Sequence, residues 1–398
     1  MNKEKKIYKL FKYCKENDIE IDIEKINEML KIHKDLYNEI LAELPIEVLK
    51  LITCHDDYLK QKEMITACQS KILSGNIEVL KIISNQDEYQ KQHELLIACE
   101  NENIRNDMDI LRSIASQTDS RMMHQLRLAC ENEEIRNDKY ALGLIASQDD
   151  YLRMKQMILA CENEEIRNDK YALDLIAFQD DYLKMNQVRL ACENEEIRED
   201  KYALGLIASQ KKLVNMSEMI LACKNEGIRN DKYVLGLIAS ESNREKQAEL
   251  RFACENENIR KDKYALGLIV LQEDWQKMRQ VRFACENEKL RNDKEALKLI
   301  ASQKTWENQE QLRRACLDDR LRKDKNTIRL IANKIEVEEQ EFLRRRLNFE
   351  DELNNLIKER EVLLSRLDKL LNNPDEYVET YEKVMILNKK LNRGSNYD

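Results

Sequence analysis

The chain is poor in the residues that break helices. Its 398 residues include only 7 glycines and 2 prolines. Sheets and long loops need more turn residues than this, so the composition points to an almost wholly helical protein. No run approaches eighteen consecutive apolar residues, which excludes a membrane-spanning helix. The N-terminal MNKEKKIYKLFKYCKEN is basic, but it lacks a continuous apolar core and a small-residue cleavage site. It reads as an amphipathic helix, not a signal peptide. The formal net charge of -9 argues against a globally basic nucleic-acid binder and leaves room for a local basic patch. Catalytic signatures are also missing. There is no Gly-rich phosphate loop, no GxSxG elbow and no HExxH. The ENEEIRND loop lacks the central Gly and terminal Glu of a calcium loop. The expectation is a soluble, cytoplasmic, non-enzymatic protein without cofactor or metal, with export by a signal-less route left open. The Lys-, Ile-, Glu- and Asn-rich wording fits an AT-rich microbial genome.

What the chain does have is a ruler of cysteines. Cys68, Cys99, Cys130, Cys161, Cys192, Cys223, Cys254, Cys285 and Cys316 fall at intervals of 31 residues. Equivalent positions in stacked helical repeats lie about 8–10 Å apart. A disulfide needs Cα atoms within about 7 Å. These thiols should therefore be free, small and buried, which fits a reducing compartment. Zinc is disfavoured, because there is one Cys per period, no CxxC pair, and His33, His55, His93 and His124 follow no repeat spacing.

With Cys as position 1, positions 10–18 (KYALGLIAS) form a short helix with apolar residues at 12, 13, 16 and 17. Asn or Asp at positions 8 and 9 can cap it. A second helix runs from about position 21 through the next Cys, with recurrent apolar positions at 22, 25, 28, 31 and 1. NEEIRND then returns the chain to the next repeat, its Ile tucked inward. One such repeat cannot bury its apolar face alone, so repeats must stack.

The two-helix design resembles the α-solenoid class in general: the tetratricopeptide, Sel1-like and HEAT-like repeats. The period of 31 is shorter than that of tetratricopeptides, and their Trp–Leu–Gly–Tyr pattern is absent. The resemblance covers residues 37–346 and implies an elongated, curved binding scaffold. The expected fold is all-α: a right-handed α-solenoid of about ten repeats. Residues 1–36 form a helical cap, and Tyr37–Ala67 form a degenerate first repeat without the leading Cys. A long C-terminal helix starts near Glu336 and runs to Leu371, folding back on the array or forming a hairpin. A final helix over residues 375–392 follows Pro374, and GSNYD is a frayed tail. Self-association through the C-terminal helix is one expectation for this region.

Comparing repeats within the chain separates roles. Position 3 is Asn from Asn101 to Asn287, position 7 is Arg from Arg105 to Arg322, and position 9 is Asp from Asp107 to Asp324. The structural reading gives Asn the left-handed turn that ends a helix, Asp the cap of the next helix, and Arg a bridge to carboxylates or carbonyls of adjacent repeats. The competing reading is an Arg ladder for phosphates, which the Glu residues at positions 2, 4 and 5 oppose.

Three columns read as candidates for partner binding. Position 11 is Tyr140, Tyr171, Tyr202, Tyr233 and Tyr264, flanked by Asp109 and Glu295, which suggests exposure. Position 14 is Gly143, Gly205, Gly236 and Gly267, and a mid-helix Gly costs about 1 kcal/mol relative to Ala. Such a Gly either lets another chain approach or relieves crowding between repeats. Position 29 mixes Arg127, Arg189, Arg251, Arg282 and Arg313 with Leu96, Ile158 and Ile220, suggesting a half-exposed face. The functional expectation is a scaffold that binds a partner protein or peptide on its curved face, with Tyr as anchors. A nucleic-acid binder using Arg and Tyr ladders, or a structural spacer in a larger assembly, are the alternatives.

Overall fold

The computed structural model describes residues 44–334 except Asp56 and Lys71, together with scattered helical residues between 340 and 387. The expected N-terminal cap and most of the C-terminal region, including the surface expected to self-associate, lie outside the described residues. Residues 355–363, within the expected C-terminal helix, are helical. Among the described residues every regular element is an α-helix, and the repeated packing is that of an α-solenoid. The chain divides into two compact units, Met1–Ser217 and Glu218–Asp398.

The repeats from Cys99 to Cys285 each hold three helices where the sequence pattern suggested two, while the Cys68 repeat has a turn in place of the first. In the repeat that starts at Cys130, a linker helix spans Glu133–Asn137, a short helix Lys139–Ala146 and a long helix Tyr151–Glu162. The linker helix corrects the reading of NEEIRND as a plain return. It also corrects the role of Asn at position 3. Asn132 is extended, at φ -76° and ψ 117°, and its side chain accepts from Glu134 N and Ile135 N. Asn163 does the same for the next linker helix. Asn is thus an N-cap and not a left-handed C-cap; the long helix and the linker helix abut, and the amides of the second helix need an acceptor.

Asp at position 9 caps the short helix as expected. Asp138 accepts from Tyr140 N and Ala141 N, and Asp169 from Tyr171 N and Ala172 N. A third cap starts the long helix, where Asp150 and Asp181 accept from the first-turn amides.

Within each unit the long helices pack side by side, and so do the short helices. Each long helix also packs on the short helices of its own and the following repeat. The core lies between these two layers. It is built from position 28 (Leu126, Met157, Val188), the alanines at 31, the cysteines, the linker Ile at 6 (Ile135, Ile166, Ile197), and positions 12 and 16 of the short helix (Ala141, Ile145), all fully buried. Burying a large aliphatic side chain contributes about 1.5–3 kcal/mol, so every repeat is held chiefly by its neighbours' apolar surface. Small Ala and Cys at adjacent positions let the long helices come close. Position 25 departs from the apolar expectation: it is Met in the central repeats, but Gln92, Gln247 and Gln309 are wholly buried there. Gln309 Nε2 donates to Gln272 Oε1 of the preceding repeat at 2.8 Å, which gives its buried amide nitrogen a partner.

Candidate functional site

The fixed columns close the joints between helices and repeats. The last turn of each long helix leaves carbonyls without an intrahelical donor. Arg at position 7 supplies one. Arg105, Arg136, Arg167, Arg198, Arg229, Arg260, Arg291 and Arg322 each donate Nη1 to the carbonyl of their own repeat's Cys, at 2.7–3.3 Å. The cation also complements the negative end of the helix dipole. Arg167 reaches Glu134, and Arg198 reaches Glu165, at 2.5 Å in the preceding repeat. These guanidinium groups are largely buried.

The cysteines are free, and those of the ruler are buried. Burial pushes the Cys161 and Cys192 thiols up to about 12, and those of Cys68, Cys99, Cys130, Cys254, Cys285 and Cys316 likewise. No group of His, Cys, Asp and Glu among the described residues is arranged to hold a metal. No described helix is long and apolar enough to cross a membrane.

The Tyr column splits. The Tyr140 hydroxyl donates to Asp174 of the next repeat, a bond that raises the phenol's pKa. Tyr171 donates to the Lys201 carbonyl and Tyr264 to the Lys294 carbonyl, both at 3.2 Å. Lys170, Lys201 and Lys294 lie over the rings of Tyr140, Tyr171 and Tyr264 at 5.1–5.6 Å. These tyrosines therefore bind their own neighbouring repeat through hydroxyl and ring face. Tyr202 is 40% exposed and Tyr233 61%. Tyr233 has no side-chain partner among the described residues.

The Gly column splits too. A Cβ on Gly205 would sit 3.0 Å from the Tyr171 hydroxyl, so crowding explains that glycine. At Gly143 and Gly267 a Cβ meets nothing within 4 Å, so crowding does not explain them. Gly236 is half-buried in the helix Lys232–Ser240.

Position 29 is more buried than its mixed composition suggested, with Arg189, Arg282 and Arg313 half-buried and the rest of the column buried. Arg127 is 7% exposed and Ile158 8%. Arg127, Arg251 and Arg282 donate Nε to Glu94, Glu218 and Glu249 of the preceding repeat at 3.2, 3.1 and 2.9 Å. Each also pairs with a Glu one turn onward, as Arg189 does with Glu193. Arg313 Nε donates to Gln280 at 3.2 Å, and burial lowers its pKa. The residue of the preceding repeat that faces the column also varies: Glu94, Glu218 and Glu249 face Arg, Gln156 and Gln280 also face Arg, Gln125 and Gln187 face Ile158 and Ile220, and Glu63 faces Leu96.

One surface column escaped the sequence reading. Position 30 is Ile97, Leu128, Leu159 and Leu190 in the first unit, and Leu221, Phe252 and Phe283 in the second. Leu190 and Phe252 are each 42% exposed, Leu128 and Leu221 similarly so, and Ile97 and Leu159 are half-buried. In the second unit guanidinium groups lie over the faces of the rings. Phe252 has Arg251 at 4.2 Å and Arg282 at 5.6 Å; Phe283 has Arg282 at 4.5 Å and Arg313 at 5.5 Å. The position-29 arginines thus stand beside the exposed rings. The available signal was the column itself, apolar in seven consecutive repeats before Arg314. It was hidden because positions 30, 31 and 1 read as one apolar run.

The chain matches no known protein-family model, and no curated protein is similar to it.

Proposed function

We propose that the protein is a non-enzymatic scaffold that holds a partner protein or peptide along its layer of long helices. The observation that supports this reading is the position-30 column, where repeat after repeat keeps an aliphatic or aromatic side chain that the fold leaves half-exposed. Isolated exposed apolar residues need no explanation; a row at one structural position does. Covering the exposed part of one such side chain is worth on the order of 1 kcal/mol. That is too little to overcome the cost of association, so recognition requires several repeats at once. The position-7 arginines, engaged with Cys carbonyls, are poorly placed to track phosphates, which weighs against a nucleic-acid ladder.

The test is purification of the tagged chain from its own cell, beside the variant Leu128→Glu, Leu159→Glu, Leu190→Glu. The expected result is a protein-like ultraviolet spectrum and a stoichiometric protein partner that the variant loses, with an unchanged melting temperature. A nucleic-acid spectrum that disappears in high salt, or a partner retained by the variant, would reject the reading.

A further inference from the structure

We propose that the second unit carries a docking site for an acidic segment of the partner on its short-helix layer; the inference rests on the scaffold reading. In the first unit, Glu134 and Glu165 at position 5 neutralise Arg167 and Arg198 of the following repeat. In the second unit those carboxylates are gone. Position 5 is Gly227, whose missing Cβ leaves room for the Arg260 guanidinium, and then Asn258 opposite Arg291. Position 8, Asn137 and Asn168 in the first unit, becomes Lys261. Around Asn258 the chain forms a shallow, solvent-open depression of about 580 Å³, lined by Lys261, Lys263, Tyr264, Arg291 and Lys294.

The carboxylate in that lining, Asp262, is occupied in capping Tyr264 N and Ala265 N. Lys261 has an exposed ion pair with Glu257 on its own helix. Such a pair exchanges readily for another carboxylate. Lys263 has no partner among the described residues, and no described carboxylate pairs with Arg291 or Lys294. Lys263 belongs to the same short helix as Gly267, and the preceding repeat carries the 61% exposed Tyr233 at position 11. An open, hydrated cluster of this kind holds a lone small anion poorly, because each contact is screened. It suits a chain that brings several carboxylates and an apolar contact for Tyr233 together. A polynucleotide fits less well, since the cationic stretch is bounded. In the next joint Lys289 pairs with Asp319, Lys325 with Asp293 and Arg329 with Glu295. The local balance agrees: residues 46–217 carry 31 carboxylates against 22 Lys and Arg, residues 218–334 carry 20 against 25.

The probe is a fluorescent peptide of about ten glutamates, titrated at low salt into the full chain and followed by polarisation. The comparison variant is Asn258→Glu, Lys261→Asn, which writes the first unit's own wording into this joint and so should fold; Lys263→Gln is a second variant. The expected result is binding that falls about tenfold in either variant and with added salt, with no loss in the Leu128, Leu159, Leu190 variant. Equal binding by the Asn258→Glu, Lys261→Asn variant, or wild-type binding no tighter than that of a glutamine peptide, overturns the site. So does a single-stranded RNA that displaces the peptide at lower concentration. The apolar-row variant separates the two ideas: it can fail to affect partner capture while the glutamate peptide still binds, and the reverse.

Discussion

Burial turns the ruler cysteines into small apolar fillers. With thiols pushed up to about 12, they stay protonated and unreactive at neutral pH. Of the described cysteines, Cys54 alone is exposed. A disulfide-exchange reagent under native conditions should therefore label Cys54 and spare the nine others described; rapid labelling of all would contradict the core. The same shift has a pH signature. The folded thiol pKa lies above its unfolded value, so the folded state holds protons that the unfolded state has released. The stability this gives is fully present below about pH 9 and falls between there and pH 12. Each such thiol costs about 1.4 kcal/mol per pH unit across that window, and their sum predicts a steep alkaline loss of helicity.

The tyrosines give a sharper contrast. Tyr171→Ala removes an inter-repeat hydrogen bond and a ring under Lys201, and should cost about 1–3 kcal/mol. Tyr233→Ala should leave the melting temperature within about a degree of wild type, because surface changes of this kind rarely exceed about 0.5 kcal/mol. Equal shifts for both would show that the column plays one role throughout.

At the scale of elements, caps and periodicity carried most of what was legible. The short and long helices follow from the 3/4 spacing of residues such as Ala141 and Ile145, and Asp138 was readable as a cap. The linker helix was not readable, because Glu133–Asn137 is barely more than one turn and shows no period. Its existence depends on Ile135 reaching the core and Arg136 reaching the Cys130 carbonyl, both tertiary facts. Position 29 misled for a related reason. Variation within a column suggests exposure, whereas this position buries both an Arg that pairs with Glu94, as Arg127 does, and the apolar Ile158. Asn163→Ala should cost about 1 kcal/mol by unsatisfying Glu165 N and Ile166 N, and Asn163→Asp should retain most of that stability. Chemical denaturation of the pair measures it.

At the scale of the whole chain, nearest-neighbour joints between near-identical repeats make register the governing quantity. The candidate surfaces differ in how visible they were. The Tyr column was visible as a deviation from its flanks, though Tyr140, Tyr171 and Tyr264 proved to bind neighbouring repeats. The position-30 row became visible only when burial separated it from Ala and Cys beside it. The cationic joint at Lys261 and Lys263 needed the first unit's Glu134–Arg167 pair as its reference. All of these depend on the repeats being interchangeable parts held in one phase. The most direct measurement of that is helicity and cooperative melting of a chain lacking Cys161–Ala191, which joins Ala160 to Cys192 and keeps every position in phase. It should fold with wild-type helicity per residue and one sharp transition, while removal of Cys161–Met185, which breaks the phase, should not. Equal collapse of both deletions would contradict the account.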